Sequence, residues 1–216
     1  MGYYIKINTT LIQIEHQRFC IRTGNLEYKA GITMKRLRIP PILCDIVQIT
    51  FSACEGISFD RCRVCPSCGG PVTGYDKKKK RFAILADGQK NKIIFVTVKR
   101  FRCHTCKKII SANAPFYPET RIGSPIVDLC ITLGRTMPFS RVSTHLEFLG
   151  IIVDRWTVRK YVLNNRYRTI ATTELFGMKV PMSLFSLTAL VASTNEKNPL
   201  DSQEVLVACG LHAPDK

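Results

Sequence analysis

Acidic side chains are scarce in this sequence. Sixteen Asp and Glu stand against 32 Lys and Arg, which gives a formal net charge of +16. The imbalance is concentrated, because residues 61–108 contain 14 basic residues but only Asp76 and Asp87 as acids. Residues 121–170 add eight basic residues against three acidic ones. The net charges of these two stretches are therefore +12 (14 − 2) and +5 (8 − 3). Positive charge concentrated in this way attracts phosphate backbones or anionic lipid head groups.

The sequence also lacks a hydrophobic run that could cross a membrane. Its most apolar stretch, 180–192, is interrupted by Pro181 and Ser183 and is shorter than the roughly 20 residues that a spanning helix needs. Residues 1–11 lack the basic cluster, apolar core and small-residue cleavage site of a secretory signal. We therefore expect a soluble protein of the cytoplasm, associated with the nucleoid, with no membrane partner and no small-molecule substrate.

Cysteine, in contrast, is abundant. The 216 residues include ten cysteines, and without an export signal these favour reduced thiols and metal ligation over disulfides. Cys65 and Cys68 form one CxxC pair, and Cys103 and Cys106 form a second. Two residues between paired thiolates let both sulfurs of one turn reach a single tetrahedral ion, and the second pair completes a four-sulfur shell. We predict a structural zinc ion on these four residues, because four thiolates leave no coordination position open.

The ligand set has one alternative. Cys62 and Cys65 also have CxxC spacing, so Cys62 is a potential substitute for one of the four ligands. We prefer Cys65 with Cys68, because Pro66 and the glycines after Cys68 suit a tight turn. The remaining cysteines lack ligand spacing and are expected to be small buried hydrophobic residues. They are Cys20, Cys44, Cys54, Cys130 and Cys209.

Apolar residues alternate with a period of two between the cysteine pairs. The alternation begins near Lys80, is interrupted at Asp87 and Gly88, and resumes from Ile94 to Val98. This pattern predicts a β-hairpin that leads directly into Cys103. The 34 residues between the pairs exceed the usual spacing of such a module, so we expect part of them to form an extended basic loop.

Helical spacing predicts a short helix at about 41–54, with a strand as the alternative, and three helices after the second cysteine pair. Ser124, Ser140 and Asp154 are the expected N-caps of those three helices. The predicted fold class is α+β: a zinc ribbon, meaning a β-hairpin with two cysteine knuckles, followed by a three-helix helix-turn-helix unit. The predicted divisions are an N-terminal segment of unclear role at 1–60, the ribbon at 61–118, the helix-turn-helix at 119–171 and a partly ordered tail at 172–216.

Basic residues around the predicted zinc site are candidates for contact with DNA phosphates. They are Lys77, Lys78, Lys79, Lys80, Arg81, Lys99, Arg100, Arg102, Lys107 and Lys108. The first turn of the last predicted helix adds candidates for base edges or phosphates. These are Arg155, Thr157, Arg159 and Lys160. The competing interpretations are a solvated basic loop without a partner and an ordinary amphipathic core helix.

These motifs together resemble a known family. The runs 65–70 and 98–108, followed by the predicted helix-turn-helix, are similar to the N-terminal part of prokaryotic insertion-element transposases, archaeal ones especially. The similarity covers roughly 61–167. It implies zinc at the four named cysteines, contact with the terminal repeats of an element by the helix after Asp154, and a partner that is double-stranded DNA.

The resemblance does not extend to catalysis. In such transposases a downstream ribonuclease-H-like domain cuts and joins DNA with metal-bound carboxylates. In this sequence too few residues follow the third helix to hold two catalytic metals about 4 Å apart. The acids there are Glu174, Glu196, Asp201, Glu204 and Asp215. We therefore expect a DNA-binding protein rather than an enzyme, either a truncated remnant or a separate subunit. Its expected protein partner is a second copy of the chain or a catalytic transposase subunit.

Three other functions remain open from the sequence. A transcriptional regulator would use the same contacts on a promoter. A transposase or nuclease would need a partner that supplies the carboxylates. An RNA-binding protein would stack bases on Phe82, Phe95 and Phe101, although these side chains are expected to belong to the core of the hairpin.

Overall fold

The computed structural model of the chain describes residues 40–88, 90–165, 168–175, 177–194 and 200–211. The predicted N-terminal segment up to residue 38 lies outside these ranges. Glu196 and Asp215, two of the carboxylates weighed above, also lie outside them.

The described residues form an α+β arrangement. Helix α1 covers Pro41–Ser52 and is followed by β1 at Ser58–Phe59, β2 at Val72–Asp87, β3 at Lys90–Cys103 and β4 at Ile109–Ser111. Three helices come next: α2 at Ser124–Gly134, α3 at Phe139–Phe148 and α4 at Arg155–Asn164. The last elements are β5 at Thr172–Leu175, β6 at Met178–Pro181, α5 at Met182–Ser193 and α6 at Ser202–Ala208.

Strand β3 is the centre of the larger sheet. It pairs antiparallel with β2 along their whole length, from Val72 opposite Cys103 to Asp87 opposite Lys90. On its other edge it pairs in parallel with β1 and antiparallel with β4. Strands β5 and β6 form a separate antiparallel pair. The predicted hairpin is therefore confirmed, and it is longer than expected.

The expected basic loop between the cysteine pairs is wrong. The run 77–81 lies within β2 and pairs with β3 residue by residue. Lysine has a weak preference for strands, but pairing with an apolar partner strand overrides such a preference. Here Lys78 lies opposite Val98 and Lys80 opposite Val96, and both valines are buried. Strand β3 thus supplies the apolar contacts that hold a lysine-rich strand in the sheet.

Phe82 connects the hairpin to the helices. Its side chain is fully buried, and its ring centre lies 5.8 Å from that of Phe51 in α1 and 6.0 Å from that of Phe116. A Cβ atom at Gly123, just before α2, would lie 2.3 Å from the Phe82 ring. Only glycine at this position lets the start of α2 approach the hairpin so closely. Phe82 therefore belongs to the core, as expected.

The predicted fold class, a zinc ribbon followed by a three-helix helix-turn-helix unit, is wrong. Helices do occur in the predicted region, but α2 has ten buried residues out of eleven. A helix that is buried on all sides lies inside a larger core, whereas an outer helix of a small unit buries only one face. Besides α3 and α4, α2 contacts β6 and α5. These helices belong to a set of six helices in the described residues, of which α1 precedes the hairpin and α2 to α6 follow it.

The N-caps of the three helices agree only in part with the sequence. Asp154 caps α4 as predicted, through its side-chain oxygens. The predicted caps Ser124 and Ser140 are wrong, because α2 begins after Gly123 and α3 after Pro138. Gly123 and Pro138 have no side chain that could cap a helix. Ser124 lies within α2, and its hydroxyl is buried.

The segment 172–216, predicted as a partly ordered tail, contributes four of the elements above. The longest helices of the described residues, α1 and α5, have 12 residues each. Within those residues no helix is both long and apolar enough to cross a membrane.

Candidate metal centre

The β2–β3 hairpin brings the two CxxC turns together at its open end. Cys65 and Cys68 lie in a turn just before β2, Cys103 is the last residue of β3, and Cys106 follows three residues later. The register places Val72 opposite Cys103, so the two turns meet where the hairpin strands begin and end. The ligand atoms of all four cysteines lie within 4.8 Å of one another. We call these four residues the cysteine cluster.

The sulfur spacing suits one ion. Cys65 Sγ lies 3.6 Å from Cys106 Sγ, and Cys68 Sγ lies 3.5 Å from Cys103 Sγ. Sulfurs that surround one ion tetrahedrally at about 2.3 Å would lie about 3.8 Å apart. A disulfide needs about 2.0 Å, so neither contact is a disulfide. The cluster can therefore hold a metal ion with four sulfur ligands.

The two turns are built alike. The amide of Cys65 donates a hydrogen bond to the carbonyl of Gly70, and the amide of Cys103 donates one to the carbonyl of Lys108, both at 3.0 Å. In each turn the first cysteine is buried and the second is more exposed. Each close sulfur pair joins a buried cysteine of one turn to the outer cysteine of the other. This approximate twofold arrangement places four sulfurs around a common centre.

Gly70 allows the turns to come into contact. A Cβ atom at this position would lie 2.3 Å from Thr105 Oγ1 and 2.9 Å from Thr105 Cβ, and 3.3 Å from Cys68 Sγ. Any larger residue would push Thr105, and with it the second turn, away from the first. The sequence indicates a glycine suited to a tight turn but not this contact, because Thr105 is 35 residues away and becomes a neighbour only through the hairpin register.

Backbone hydrogen bonds prepare some of the thiols for ligation. The amide of Cys106 donates to Cys103 Sγ at 3.5 Å, and this bond lowers the pKa of the Cys103 thiol to about 6. The amide of Ser67 lowers the pKa of Cys65 in the same way. At Cys68 the amide of Gly70 acts in that direction too, but the contact with Cys103 together with burial raises the pKa to about 11. Four thiolates this close repel one another, so a cation is needed to hold all four deprotonated.

Cys62, the alternative ligand, lies outside the cysteine cluster. Its thiol contacts the carbonyl of Val64 at 3.6 Å, and burial raises its pKa, as does the nearby Cys65. The structure thus brings together the four preferred cysteines. Of the others, Cys54, Cys130 and Cys209 are buried as expected, Cys44 is half-buried, and Cys20 is outside the described residues.

The basic residues of β2 lie on both sides of the sheet. Directly paired residues of antiparallel strands point to the same side. Lys77 lies opposite Lys99, Lys79 opposite Thr97, and Arg81 opposite Phe95. Between residues 94 and 98 the buried side chains of β3 lie on the other side of the sheet, so Lys77, Lys79 and Lys99 lie on the side that faces solvent. Arg81 is half-buried, and its Nε is enclosed. We call Lys77, Lys79 and Lys99 the basic face.

The other basic candidates of the hairpin have different surroundings. Arg100 forms a two-point ion pair with Asp76, which lowers the pKa of that carboxyl. The Lys80 ammonium lies 4.9 Å from the ring centre of Phe116, and its pKa is lowered by burial and by the charge of Lys78. Arg102, Lys107 and Lys108 are exposed beside the cysteine cluster, and Lys78 is also exposed.

The candidates on α4 lie far from the cysteine cluster. The chain just before α4 joins the closed end of the hairpin, where the amide of Ile152 donates to the carbonyl of Ile84 at 2.8 Å. Val72 and Ile84 are separated by twelve steps along an extended strand, which corresponds to about 40 Å. Arg155, Arg159 and Lys160 are exposed there, while Thr157 is half-buried and bonded to Asp154. The structure does not bring the two predicted sets of contacts into one site.

Comparison with protein-family models, with curated proteins and with solved structures finds no match to this chain.

Proposed function

We propose that this chain binds double-stranded DNA through the basic face of its hairpin, and that a structural zinc ion in the cysteine cluster holds the hairpin's open end in shape. The observation that carries the proposal is the position of the cluster. Four convergent sulfurs lie at the open end of the β2–β3 pair, and the basic face begins on the same two strands where Lys77 lies opposite Lys99.

Zinc is the ion that suits this ligand set best. Tetrahedral sites of four thiolates are typical of zinc or of iron–sulfur chemistry, and a closed shell without a substrate position is typical of a structural zinc site. Such an ion contributes roughly 10–16 kcal/mol of binding free energy, available only when the ligands are folded together. The ion would therefore fix the register of β2 and β3 at Val72 and Cys103.

The basic face supports binding of a polyanion. Lys77 and Lys99 are directly opposed on paired strands, an arrangement that destabilises a sheet when both are charged. Within the described residues neither forms an ion pair. A phosphate between them would offset their repulsion, and each neutralised phosphate would release counterions. The repulsion between Lys77 and Lys99, which a bound anion would relieve, favours contact with phosphate over a surface that is only solvated.

The resemblance to insertion-element transposases gives the proposal its target. By that resemblance the chain would bind the terminal repeats of an element, either alone or beside a catalytic subunit. A transcriptional regulator is the alternative, and a protection assay separates the two. Footprints at terminal repeats support the first, and footprints confined to a promoter support the second.

Salt dependence tests the electrostatic part. Affinity of the zinc-loaded chain for a duplex, measured between about 50 and 200 mM salt, should fall with a logarithmic slope of roughly −0.9 per phosphate contact. Replacing Lys77, Lys79 and Lys99 by Gln should make the slope shallower by up to about 2.7. Lys179→Gln removes an exposed charge on β6 and serves as the control. Affinity without any slope would contradict the proposal.

A further inference from the structure

An open groove lies between the start of α3 and the first turn of α4. It has a volume of about 300 Å³ and is lined by Pro138, Phe139, Ser140, Arg155, Trp156 and Arg159. The volume is at the lower end of the roughly 300–1,000 Å³ of small-ligand sites, which is room for one planar ring system. The basic face and the cysteine cluster contribute nothing to this groove.

Trp156 dominates the groove. It is the single tryptophan of the chain, and 62% of it is exposed. A tryptophan side chain usually buries a large apolar area, so an indole on the surface beside a proline and a phenylalanine is a flat apolar platform that the hydrophobic core leaves exposed. Its position at the start of a helix is fixed, because the amides of Trp156 and Thr157 both donate to Asp154 Oδ1 at 2.9 Å.

Two guanidinium groups lie over the indole ring of this platform. The guanidinium carbon of Arg155 lies 4.8 Å from the centre of the indole ring, and that of Arg159 lies 5.9 Å from it. No carboxylate lines the groove. The nearest acid in the sequence, Asp154, is engaged with the amides and with the Thr157 hydroxyl. The groove therefore combines an exposed aromatic surface with unneutralised positive charge at its edge.

We propose that this groove binds an unpaired nucleobase of a DNA strand, with the base stacked on Trp156 and its phosphate contacted by Arg155 and Arg159. The inference rests on the proposed DNA binding and narrows the substrate to DNA with an unpaired nucleotide. A base within a duplex is stacked on both faces and cannot reach the indole, whereas an unpaired base offers a free face. A planar ring joined to a phosphate matches the platform and its cationic rim.

Because Trp156 is the only tryptophan, fluorescence excited at a wavelength that tyrosine does not absorb reports this groove alone in the full, zinc-loaded chain. Three probes share one duplex: a blunt form, a form with a three-nucleotide overhang, and a form whose overhang keeps its phosphates but has abasic sites. Stacking of a base on an indole quenches its fluorescence. The overhang with bases should quench Trp156, and the blunt and abasic forms should not.

Variants test the same point through affinity, measured by anisotropy of labelled DNA. Trp156→Ala should reduce binding of the overhang probe by roughly 5- to 150-fold, the equivalent of one stacked base, and leave blunt-duplex binding unchanged. Trp156→Phe should retain part of the preference because it keeps a ring. Phe148→Ala is the matched control, because Phe148 is also 62% exposed but lies at the far end of α3, outside the groove.

The outcomes separate the two proposals. If all three probes bind equally and Trp156 fluorescence does not change, the groove inference is wrong while the proposed DNA binding stands. If no duplex binds, the proposed function is wrong, and titration with a single-stranded thymidine oligonucleotide then decides the groove alone. Absence of quenching in that titration overturns the inference. Since the wild-type chain carries the fluorescence test, a folding defect in a variant cannot obscure the result.

Discussion

Gly69 and Lys107 occupy equivalent positions in the two cysteine turns. Each follows the second cysteine of its pair, and their φ angles are +69° and +61°. This left-handed conformation is natural for glycine and costs about 1–2 kcal/mol for a residue with a side chain. Lysine at position 107 therefore carries strain that the first turn avoids, and the structure of the second turn must be held by its contacts, among them the amide of Cys103 bonded to Lys108.

Replacing Lys107 by Gly should stabilise the zinc-loaded protein by up to about 1 kcal/mol, because relief of strain outweighs the extra freedom of the unfolded chain. The measurement is the free energy of unfolding in urea. Lys108→Gly is the control. Its φ angle is not in the left-handed region, so the same change there should destabilise by roughly 0.5–1 kcal/mol. Equal effects at both positions would contradict the account of the turns.

The cysteine cluster predicts unequal effects for neighbouring cysteines. Cys103→Ser removes a buried ligand and should abolish tight metal binding, with broad loss of the fold around the open end of the hairpin. Cys62→Ser alters a thiol outside the cluster and should leave the metal content unchanged. Metal analysis after gel filtration measures both. Retention of metal by Cys68→Ser together with its loss from Cys62→Ser would show that Cys62 replaces Cys68 as the partner of Cys65 in the metal site.

The N-cap of α4 predicts a dependence on pH. Hydrogen bonds from the Thr157 hydroxyl and amide, and from the Trp156 amide, lower the pKa of Asp154. A depressed pKa in the folded state means that the stabilisation is complete above the unfolded pKa of about 3.9 and is lost as the pH falls through the folded value. Asp154→Ala should cost about 1 kcal/mol at pH 7, and this difference should shrink on acidification.

Asp154→Asn is the matched variant, because asparagine caps helices about as well but does not titrate in this range. Its free energy of unfolding at pH 7 should equal that of the wild type. At low pH it should lack the loss of stability that protonation of Asp154 causes in the wild type. Paired urea titrations between pH 2.5 and 7 would measure the two variants. A constant difference between Asp154→Ala and the wild type over this range would disprove the role of the carboxylate.

A buried carboxylate joins three parts of the fold. Asp128 in α2 accepts a hydrogen bond from the Tyr117 hydroxyl at 2.7 Å and one from the Ser183 hydroxyl of α5 at 2.6 Å. Burial raises the pKa of Asp128, and these donors compensate part of that effect. Ser183→Ala should lower the free energy of unfolding by about 1.5–3 kcal/mol, because it leaves a buried acid short of a donor. Ser186→Ala, on the same helix but outside this network, should cost less than about 0.5 kcal/mol.

The candidate metal centre was predictable from the sequence because its signal is local. Two residues between cysteines fix each half of the ligand set, and the alternation up to Val98 indicated that a hairpin joins the halves. The contact between Gly70 and Thr105 was not predictable, since it depends on the register of the whole hairpin. The length of 34 residues between the cysteine pairs predicts a basic loop in part of that segment, because the apolar alternation begins only near Lys80. The pairing partners of the basic run, such as Val96 and Val98, decide its structure instead.

The helices show the limit of periodicity. The sequence located helices at 124–134, at about 140–149 and after Asp154, but it could not show which of them is central. Ile126, Leu129 and Leu133 fall on one face at helical spacing, yet Asp128 and Thr132 on other sides of α2 are buried as well. The partner of Asp128 is Ser183, in a segment whose prolines and low charge suggested a tail. A contact between residues 55 positions apart produces no periodic pattern of apolar residues in the sequence.

The central claim is that one zinc ion is bound by sulfurs from both CxxC turns at the open end of the hairpin, and X-ray absorption at the zinc edge with metal quantification tests it most directly. The account predicts one zinc per chain with four sulfur neighbours at about 2.3 Å. A purified, folded chain without bound zinc, or with zinc surrounded by nitrogen and oxygen, would contradict it.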